Sequence, residues 1–211
     1  VASRGTVAAP YAVNIGNAIP FATQVTADEL FGYRLWSITR ADNSEINSAA
    51  DLEPSHDIPH TDATSNSGNL APRALVPNHE QLHGGEGQEA EFSGGHAASI
   101  QGVLAGDYDA APTWSGGVFA LENQGQIDAS NLKVIFASDP FPLDPSMTHY
   151  KLHPDLVDGI KRAHFDYSYE DTAWQEQFGT SKFVPFEYST HMNTILQIHQ
   201  TNDVTYELGT L

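Results

Sequence analysis

The chain has 211 residues, of which 27 are acidic and 9 are basic, so its formal net charge is −18 at pH 7. This charge argues against nucleic acid as a partner, because affinity for nucleic acid depends on Lys and Arg side chains that neutralise phosphates. The chain has no cysteine, which excludes disulfides, thiolate metal sites and a cysteine nucleophile. It also has no run of about 18 apolar residues, so we expect no stable membrane insertion.

Strand and helix patterns alternate along the chain. Alternation of apolar and polar residues indicates strands, whereas apolar residues three or four positions apart indicate helices. The predicted elements, in chain order, are strands at 21–25 and 33–40, short helices at 48–52 and 70–75, a strand ending at 92, a helix from His96 that closes at Gly106, a strand at 108–111, a helix at 118–123, a strand at 133–137, an extended segment at 140–145 and a helix from Pro154. This order predicts the α/β fold class.

Two junctions between a loop and a helix, at 65–68 and 93–96, combine small hydroxyl residues with glycine. Unpaired backbone N–H groups at such a junction attract anions. Ser65 and Ser67 add hydroxyl donors, Gly68 lets the backbone approach a ligand closely, and the His96 imidazole can donate to an oxyanion. The junctions therefore predict an anion site, with two ordinary helix N-caps as the alternative.

Histidine is frequent, with ten copies, and two pairs have the i, i+4 spacing of a metal chelate on a helix. The pairs are His56 with His60 and His79 with His83. Pro59 and the glycines after His83 argue against helices at both places. Loop histidines in water are the preferred interpretation, so we predict no metal ligands; a metal-capturing protein is retained as an alternative.

A hydrolytic triad can be assembled on paper from Ser65 or Ser67, His96, and Asp109 or Asp144. A chain so rich in polar residues offers such a trio by chance, and no Gly-x-Ser-x-Gly elbow supports it. No glycine-rich run is followed by Lys-Ser or Lys-Thr, so a P-loop is absent as well. We therefore predict no catalytic residue and no cofactor. A hydrolase or synthase acting on a phosphorylated small molecule remains the alternative function.

Six segments carry a resemblance to a known family. They are FGY at 31–33, INSAADL at 46–52, TSNSGNLAPR at 64–73, FSGGHAAS at 92–99, GDYDAA at 106–111 and a segment from 134 to 145 that ends in PFPLDP. In this order and spacing the chain resembles the phosphonate-, phosphate- and phosphite-binding (PhnD-like) periplasmic substrate-binding proteins of ABC transporters, from about residue 10 to 205. No single segment decides the resemblance, but together they are specific.

The resemblance implies a two-lobed periplasmic-binding-protein fold of type II that holds its ligand in the cleft between the lobes. Lobe one would comprise residues 1–40 plus 142–211, and lobe two residues 41–141. Family members begin with further residues, so we expect this chain to lack the N-terminal part of lobe one. The resemblance also implies a periplasmic or extracytoplasmic location, with a signal peptide outside this chain, and an ABC permease as partner.

The resemblance assigns ligand contacts to particular side chains. They are Tyr33, Ser65, Asn66, Ser67, His96 and Asp144. Tyr33 would close over the ligand, and the loop and histidine would hold the oxygens of a small phosphorus oxyanion. Asp144 would accept a hydrogen bond from a protonated P–OH group or pair with a ligand amine.

Two departures from the family pattern bear on the ligand. Family members that bind aminoalkyl phosphonates carry an additional acid near Gly116, where this chain has WSGG at 114–117. Without that carboxylate an ammonium group lacks a partner, which favours phosphate, phosphite or a small alkyl phosphonate. The loop also reads Ser-Asn-Ser where the family often has Ser-Thr-Ser, and an amide can donate in place of a hydroxyl.

Overall fold

A computed structural model describes residues 5–26, 32–77, 91–178 and 180–206 of the chain. The described helices are α1 (Gly5–Asn14), α2 (Ala71–Leu75), α3 (His96–Ala105), α4 (Ser115–Asn123), α5 (Pro154–Phe165), α6 (Ala173–Phe178), α7 (Tyr188–His191) and α8 (Asn193–Thr201). The strands are β1 (Ala18–Thr26), β2 (Leu35–Arg40), β3 (Ala111–Trp114), β4 (Leu132–Ala137), β5 (Ser146–His149) and β6 (Thr180–Pro185). Within these described ranges, no helix is long and apolar enough to cross a membrane.

The chain divides into two compact units. The first unit comprises Val1–Gly32 and Phe141–Leu211, and the second unit comprises Tyr33–Pro140. The boundary after Gly32 differs from the predicted lobe boundary at residue 40. The reason is that β2 pairs with β3 and β4, so its hydrogen bonds belong to the second unit.

The second unit is built on an antiparallel sheet with the strand order β3-β2-β4. Ile38 of β2 is fully buried, and the helices α3 and α4 bring further aliphatic side chains against it. The core cluster consists of Ile38, Ile100, Val103, Ala111, Val118 and Leu121. This packing fixes the start of α3, and with it His96, relative to the sheet.

The first unit is built on a second antiparallel sheet, with the strand order β5-β1-β6. Its packing relies on aromatic rings and histidines. Tyr11 of α1 meets Tyr206 edge to face at 5.0 Å between ring centroids. His199 of α8 is buried, and its Nδ1 lies 2.9 Å from the Tyr206 hydroxyl. Burial lowers the pKa of His199.

Several predicted elements are confirmed. The strands β1 and β4 cover the predicted positions, β2 covers 35–40 of the predicted 33–40, and helices begin at His96 and Pro154 as expected. Gly106 ends α3 in the left-handed region, with φ of 83°, which glycine adopts without a steric penalty.

Other predicted elements are displaced. The position predicted for the strand at 108–111 is wrong. The strand β3 starts at Ala111 and ends at Trp114, because these two residues pair with Ile38 and Leu35 of β2. The helix predicted at 118–123 begins earlier, at Ser115. The helix predicted at 48–52 is a single 3-10 turn over Ala49–Asp51.

Candidate ligand-binding site

The two predicted junctions are joined by one short stretch of backbone, His60 and Thr61. The Ser93 N–H donates to the His60 carbonyl at 2.8 Å, and the Gly94 N–H donates to the Thr61 carbonyl at 3.1 Å. On the other side, the Thr61 N–H donates to the Gly68 carbonyl at 3.0 Å. The loop before the π-helical turn Asn66–Leu70 and the loop before α3 therefore share a backbone frame.

Gly68 is required by the close approach of Thr61. A Cβ atom at Gly68 would lie 1.8 Å from Thr61 Oγ1 and 2.5 Å from Thr61 Cγ2. The sequence predicts that Gly68 lets the backbone approach a ligand closely, which remains a prediction; the group that the structure places against Gly68 is the Thr61 side chain. Any larger residue at position 68 would push the backbone segments at Thr61 and Gly68 apart.

A chain of hydrogen bonds runs through His96. The Gly68 N–H donates to Ser65 Oγ at 3.0 Å, which caps the start of the π-helical turn. His96 Nε2 lies 3.4 Å from Ser65 Oγ, and His96 Nδ1 lies 3.1 Å from Thr113 Oγ1. Thr113 carries no signal in the sequence, because its contact depends on the register of β3. Both ring nitrogens of His96 are thus oriented by hydroxyl groups.

The imidazole of His96 is uncharged at neutral pH. Burial lowers the pKa of His96 to about 4, and the Asp62 carboxylate opposes this shift. A neutral imidazole donates from one nitrogen and accepts at the other. His96 can therefore donate to an oxyanion or to Ser65 without bringing a positive charge.

Asn66 connects the loop to Tyr33. Its Nδ2 donates to the Tyr33 hydroxyl at 3.0 Å, and the Tyr33 ring meets Trp114 edge-on at 6.1 Å. Asn66 is only 5% exposed, and among the described residues its Oδ1 has no hydrogen-bond partner. Ser67, 3% exposed, also has no side-chain hydrogen bond to any described residue. The loop thus holds an amide oxygen and a hydroxyl that are not engaged by other described residues.

The predicted site residues are divided between the units. Tyr33, Ser65, Asn66, Ser67 and His96 all lie in the second unit, where the bonds described above group them. Asp144 lies in the first unit. For all six residues, contact with a ligand remains a prediction.

The indole of Trp114 occupies the space beside Gly116. Its ring centroid lies 6.3 Å from that of His96. A Cβ atom at Gly116 would lie 2.3 Å from Trp114 Cζ3, and one at Gly117 would lie 2.5 Å from Trp114 Nε1. The two glycines let the indole pack against the start of α4, and the ring blocks a side chain at position 116.

The geometry offers little for a triad or a metal ion. His96 Nδ1 pairs with the Thr113 hydroxyl, whereas Asp109 Oδ2 accepts from the Asp57 N–H at 2.8 Å. His60 is buried, with its Nδ1 3.2 Å from the Gly68 carbonyl.

His56 Nδ1 accepts from the Glu53 N–H at 2.9 Å, so the imidazole is engaged with its own turn. His79 and His83 lie outside the described residues. In the part of the chain that the structure describes, no group of three His, Asp or Glu side chains could hold a metal ion.

The chain matches one protein-family model over residues 1–190. That family is described as the periplasmic substrate-binding protein of the phosphonate ABC transporter. A comparison with curated proteins finds no match.

Solved structures with the same fold include three bacterial proteins. A binding-protein component of an ABC phosphonate transporter from Pseudomonas aeruginosa has a TM-score of 0.76 and 24% identity, with 99% of this chain and 72% of that chain covered. PhnD1 from Prochlorococcus marinus, in complex with methylphosphonate, has a TM-score of 0.72 and 17% identity, with 92% and 74% covered.

A protein from Xanthomonas citri bound to ATP has a TM-score of 0.68 and 15% identity, with 96% of this chain and 78% of that chain covered. At these identities the likeness establishes the fold alone. The predicted α/β fold of the type II periplasmic-binding-protein class is confirmed.

Proposed function

The chain belongs to the phosphonate periplasmic substrate-binding proteins of ABC transporters, and from this premise we propose that it captures phosphate, phosphite or a small alkyl phosphonate and delivers it to an ABC permease. The family consists of binding proteins and not of enzymes, so the hydrolase or synthase alternative is wrong. Because the family is periplasmic, its membership implies an extracytoplasmic location for this chain.

The observation that carries the proposal is the group of uncharged hydrogen-bonding side chains around the 65–68 loop. Ser65 Oγ accepts from the Gly68 N–H. When His96 carries its proton on Nε2, Ser65 also accepts from it, and the Ser65 hydroxyl hydrogen is left to donate to a ligand. Ser67 adds a second hydroxyl donor. Hydrogen bonds from such donors to a charged oxyanion are stronger than bonds between neutral groups.

The class of ligand follows from the residues near Gly116. The resemblance implies that an acid near this position pairs with the ammonium group of an aminoalkyl phosphonate, whereas this chain has no carboxylate at 114–117 and its Trp114 indole fills the space beside Gly116. We therefore propose a ligand without an amine.

Two lobes are also part of the proposal. The second unit would form lobe two and supply Tyr33, Ser65, Asn66, Ser67 and His96, while the first unit would belong to lobe one and supply Asp144. Ligand contacts made only when the lobes meet would shift the population toward a closed state.

A thermal-shift panel tests the proposal, with phosphate, phosphite, methylphosphonate and 2-aminoethylphosphonate as ligands. Ligand at about 100 times its dissociation constant stabilises a protein by roughly 2.7 kcal/mol, which is several degrees for a chain of this size. We expect a shift with at least one of the first three compounds and a smaller one with the fourth. The absence of a shift with all four would contradict the proposal.

A histidine substitution tests the site itself. We expect His96→Ala to lower the affinity about tenfold or more, because the Ser65 hydroxyl would lose the group that orients it, and its bond to a charged ligand contributes about 1.5–3 kcal/mol. Calorimetric titration measures this change. His149→Ala, at an exposed histidine of β5 in the first unit, is the matched control and should bind as the wild type does. Unchanged affinity in His96→Ala would remove His96 from the site.

A further inference from the structure

Asn66 of the 65–68 loop has a buried side-chain acceptor with an unmet hydrogen-bonding requirement. Its Nδ2 is engaged with the Tyr33 hydroxyl at 3.0 Å, while its Oδ1 is buried without a partner among the described residues. A buried acceptor left unpaired costs about 1–3 kcal/mol. A ligand that brings a hydrogen-bond donor to Oδ1 would recover this cost.

The charges around the loop disfavour a second negative charge on the ligand. In the described part of the chain, no Lys or Arg side chain bonds to Ser65, Asn66, Ser67 or His96. Arg73 is nearby, but its Nε donates to Asn69 Oδ1 at 2.8 Å. The Asp62 carboxylate is close enough to act on His96, and the net charge of the chain is −18. A dianion would therefore meet hydroxyl donors but no directly paired cation.

We propose that Asn66 makes the site selective for the singly charged, protonated form of the phosphorus oxyanion. The P–OH hydrogen is donated to Asn66 Oδ1, while the hydroxyls of Ser65 and Ser67 donate to the unprotonated oxygens. This inference rests on the proposed function, because it specifies the protonation state of the same ligand. With Asn66 Nδ2 donating to the Tyr33 hydroxyl, Oδ1 is the amide atom left to accept from the ligand.

The pH dependence of binding gives the test, because the population of the protonated ligand falls above its second pKa. The ionisable groups around the loop are Tyr33, His60, Asp62, Arg73 and His96. His96, with a pKa of about 4, stays neutral throughout the range from pH 6 to pH 9. A protein group would give the same break for every ligand, whereas a proton on the ligand gives a break that follows the ligand's own second pKa.

The experiment is calorimetric titration with phosphite, phosphate and methylphosphonate between pH 6 and pH 9. We expect the affinity to fall about tenfold per pH unit above the second pKa of each ligand, since the apparent affinity scales with the binding-competent fraction. Asn66→Thr, which replaces the acceptor by a hydroxyl that can donate, should bind with a flattened profile. Asn66→Asp, which keeps an acceptor, should bind more weakly and retain the steep profile.

The control and the contrary outcomes separate this inference from the proposed function. Asn123→Thr makes the same chemical change at an exposed position at the end of α4 and should keep the wild-type profile. An affinity that is constant or rises with pH, or a break at one common pH, would overturn the inference while leaving the function intact. A profile flattened by Asp144→Asn and not by Asn66→Thr would assign the hydrogen to Asp144 instead. No binding at any pH would reject the proposed function itself.

Discussion

The two units are both built on three-stranded antiparallel sheets, but their cores differ in chemistry. The second unit packs aliphatic side chains such as Ile38 and Ile100 between its sheet and α3. The first unit combines buried aliphatic side chains such as Ile195 with packed rings, including His164 against Phe21 at 5.0 Å and the buried His199 against Tyr206. Loss of buried volume destabilises either core, and a buried imidazole adds sensitivity to acid. Both units hold such an imidazole, His96 in the second and His199 in the first, but only in the first unit is it packed among other rings of the core.

The largest expected effect comes from truncating one core at a time. Ile100→Ala in the second unit and Ile195→Ala in the first unit each remove a fully buried side chain. Each should lower the free energy of unfolding by about 2–5 kcal/mol, because a cavity remains. Hydrogen exchange read by mass spectrometry should locate the loss of protection in the unit that carries the substitution. Equal loss across both units would contradict two separate cores.

The second-largest expected effect on stability comes from a glycine substitution at the site, compared with one in α5. Gly68→Ala would place a Cβ atom 1.8 Å from Thr61 Oγ1, so we expect a loss of about 1–3 kcal/mol in unfolding free energy together with weaker ligand binding. Gly159→Ala in α5 is the matched control, since no atom lies within 4 Å of its added Cβ. It should stabilise the protein by about 0.5–1 kcal/mol. Urea denaturation measures both, and a tolerated Gly68→Ala would contradict the shared backbone frame.

Acid should act on the first unit through His199. Burial lowers its pKa below the value in the unfolded chain, so the unfolded state binds the proton first. The stability held above pH 6.5 is therefore lost as pH falls toward the lowered pKa, by about 1.4 kcal/mol for each unit of depression. His199→Gln should reduce this loss, measured as the urea midpoint between pH 7 and pH 5. An unchanged slope would show that other groups dominate.

The smallest effect is expected from Tyr33→Phe. The substitution removes the hydroxyl that accepts from Asn66 Nδ2, and one such bond contributes about 0.5–1.5 kcal/mol. Ligand affinity should fall between about twofold and tenfold by calorimetry. Tyr150→Phe, at a tyrosine of the first unit that is 52% exposed, should leave the affinity unchanged. If the two variants behaved alike, the Tyr33 hydroxyl would have no role in the site.

Elements with a strong local pattern were predictable from the sequence. The helix from Pro154 starts with proline in its first turn, and α3 ends at a glycine in the left-handed region. The helix α1 was missed because Pro10 lies inside it, where proline normally breaks a helix. The strand β3 was misplaced because Pro112 interrupts the pattern, and its register depends on pairing with β2, about 75 residues away.

The site was predictable to a similar extent. The hydroxyl and glycine residues at 65–68 and the histidine at 96 stand out locally, because loop-to-helix junctions of that composition are recognisable. The bonds that organise them were not predictable. Asn66 meets Tyr33 across 33 positions and His96 meets Thr113 across 17, and no local rule reports such contacts. Asp144 rests on family resemblance, and no local pattern indicates it.

The indole beside Gly116 also constrains how this protein can evolve. A side chain introduced at position 116 would place its first carbon 2.3 Å from Trp114 Cζ3, so the indole would have to move to admit it. That ring also contacts Tyr33 and His96. Substitutions at 114 and 116 are therefore expected to be epistatic, because an acidic residue at 116 also disturbs the surroundings of both side chains.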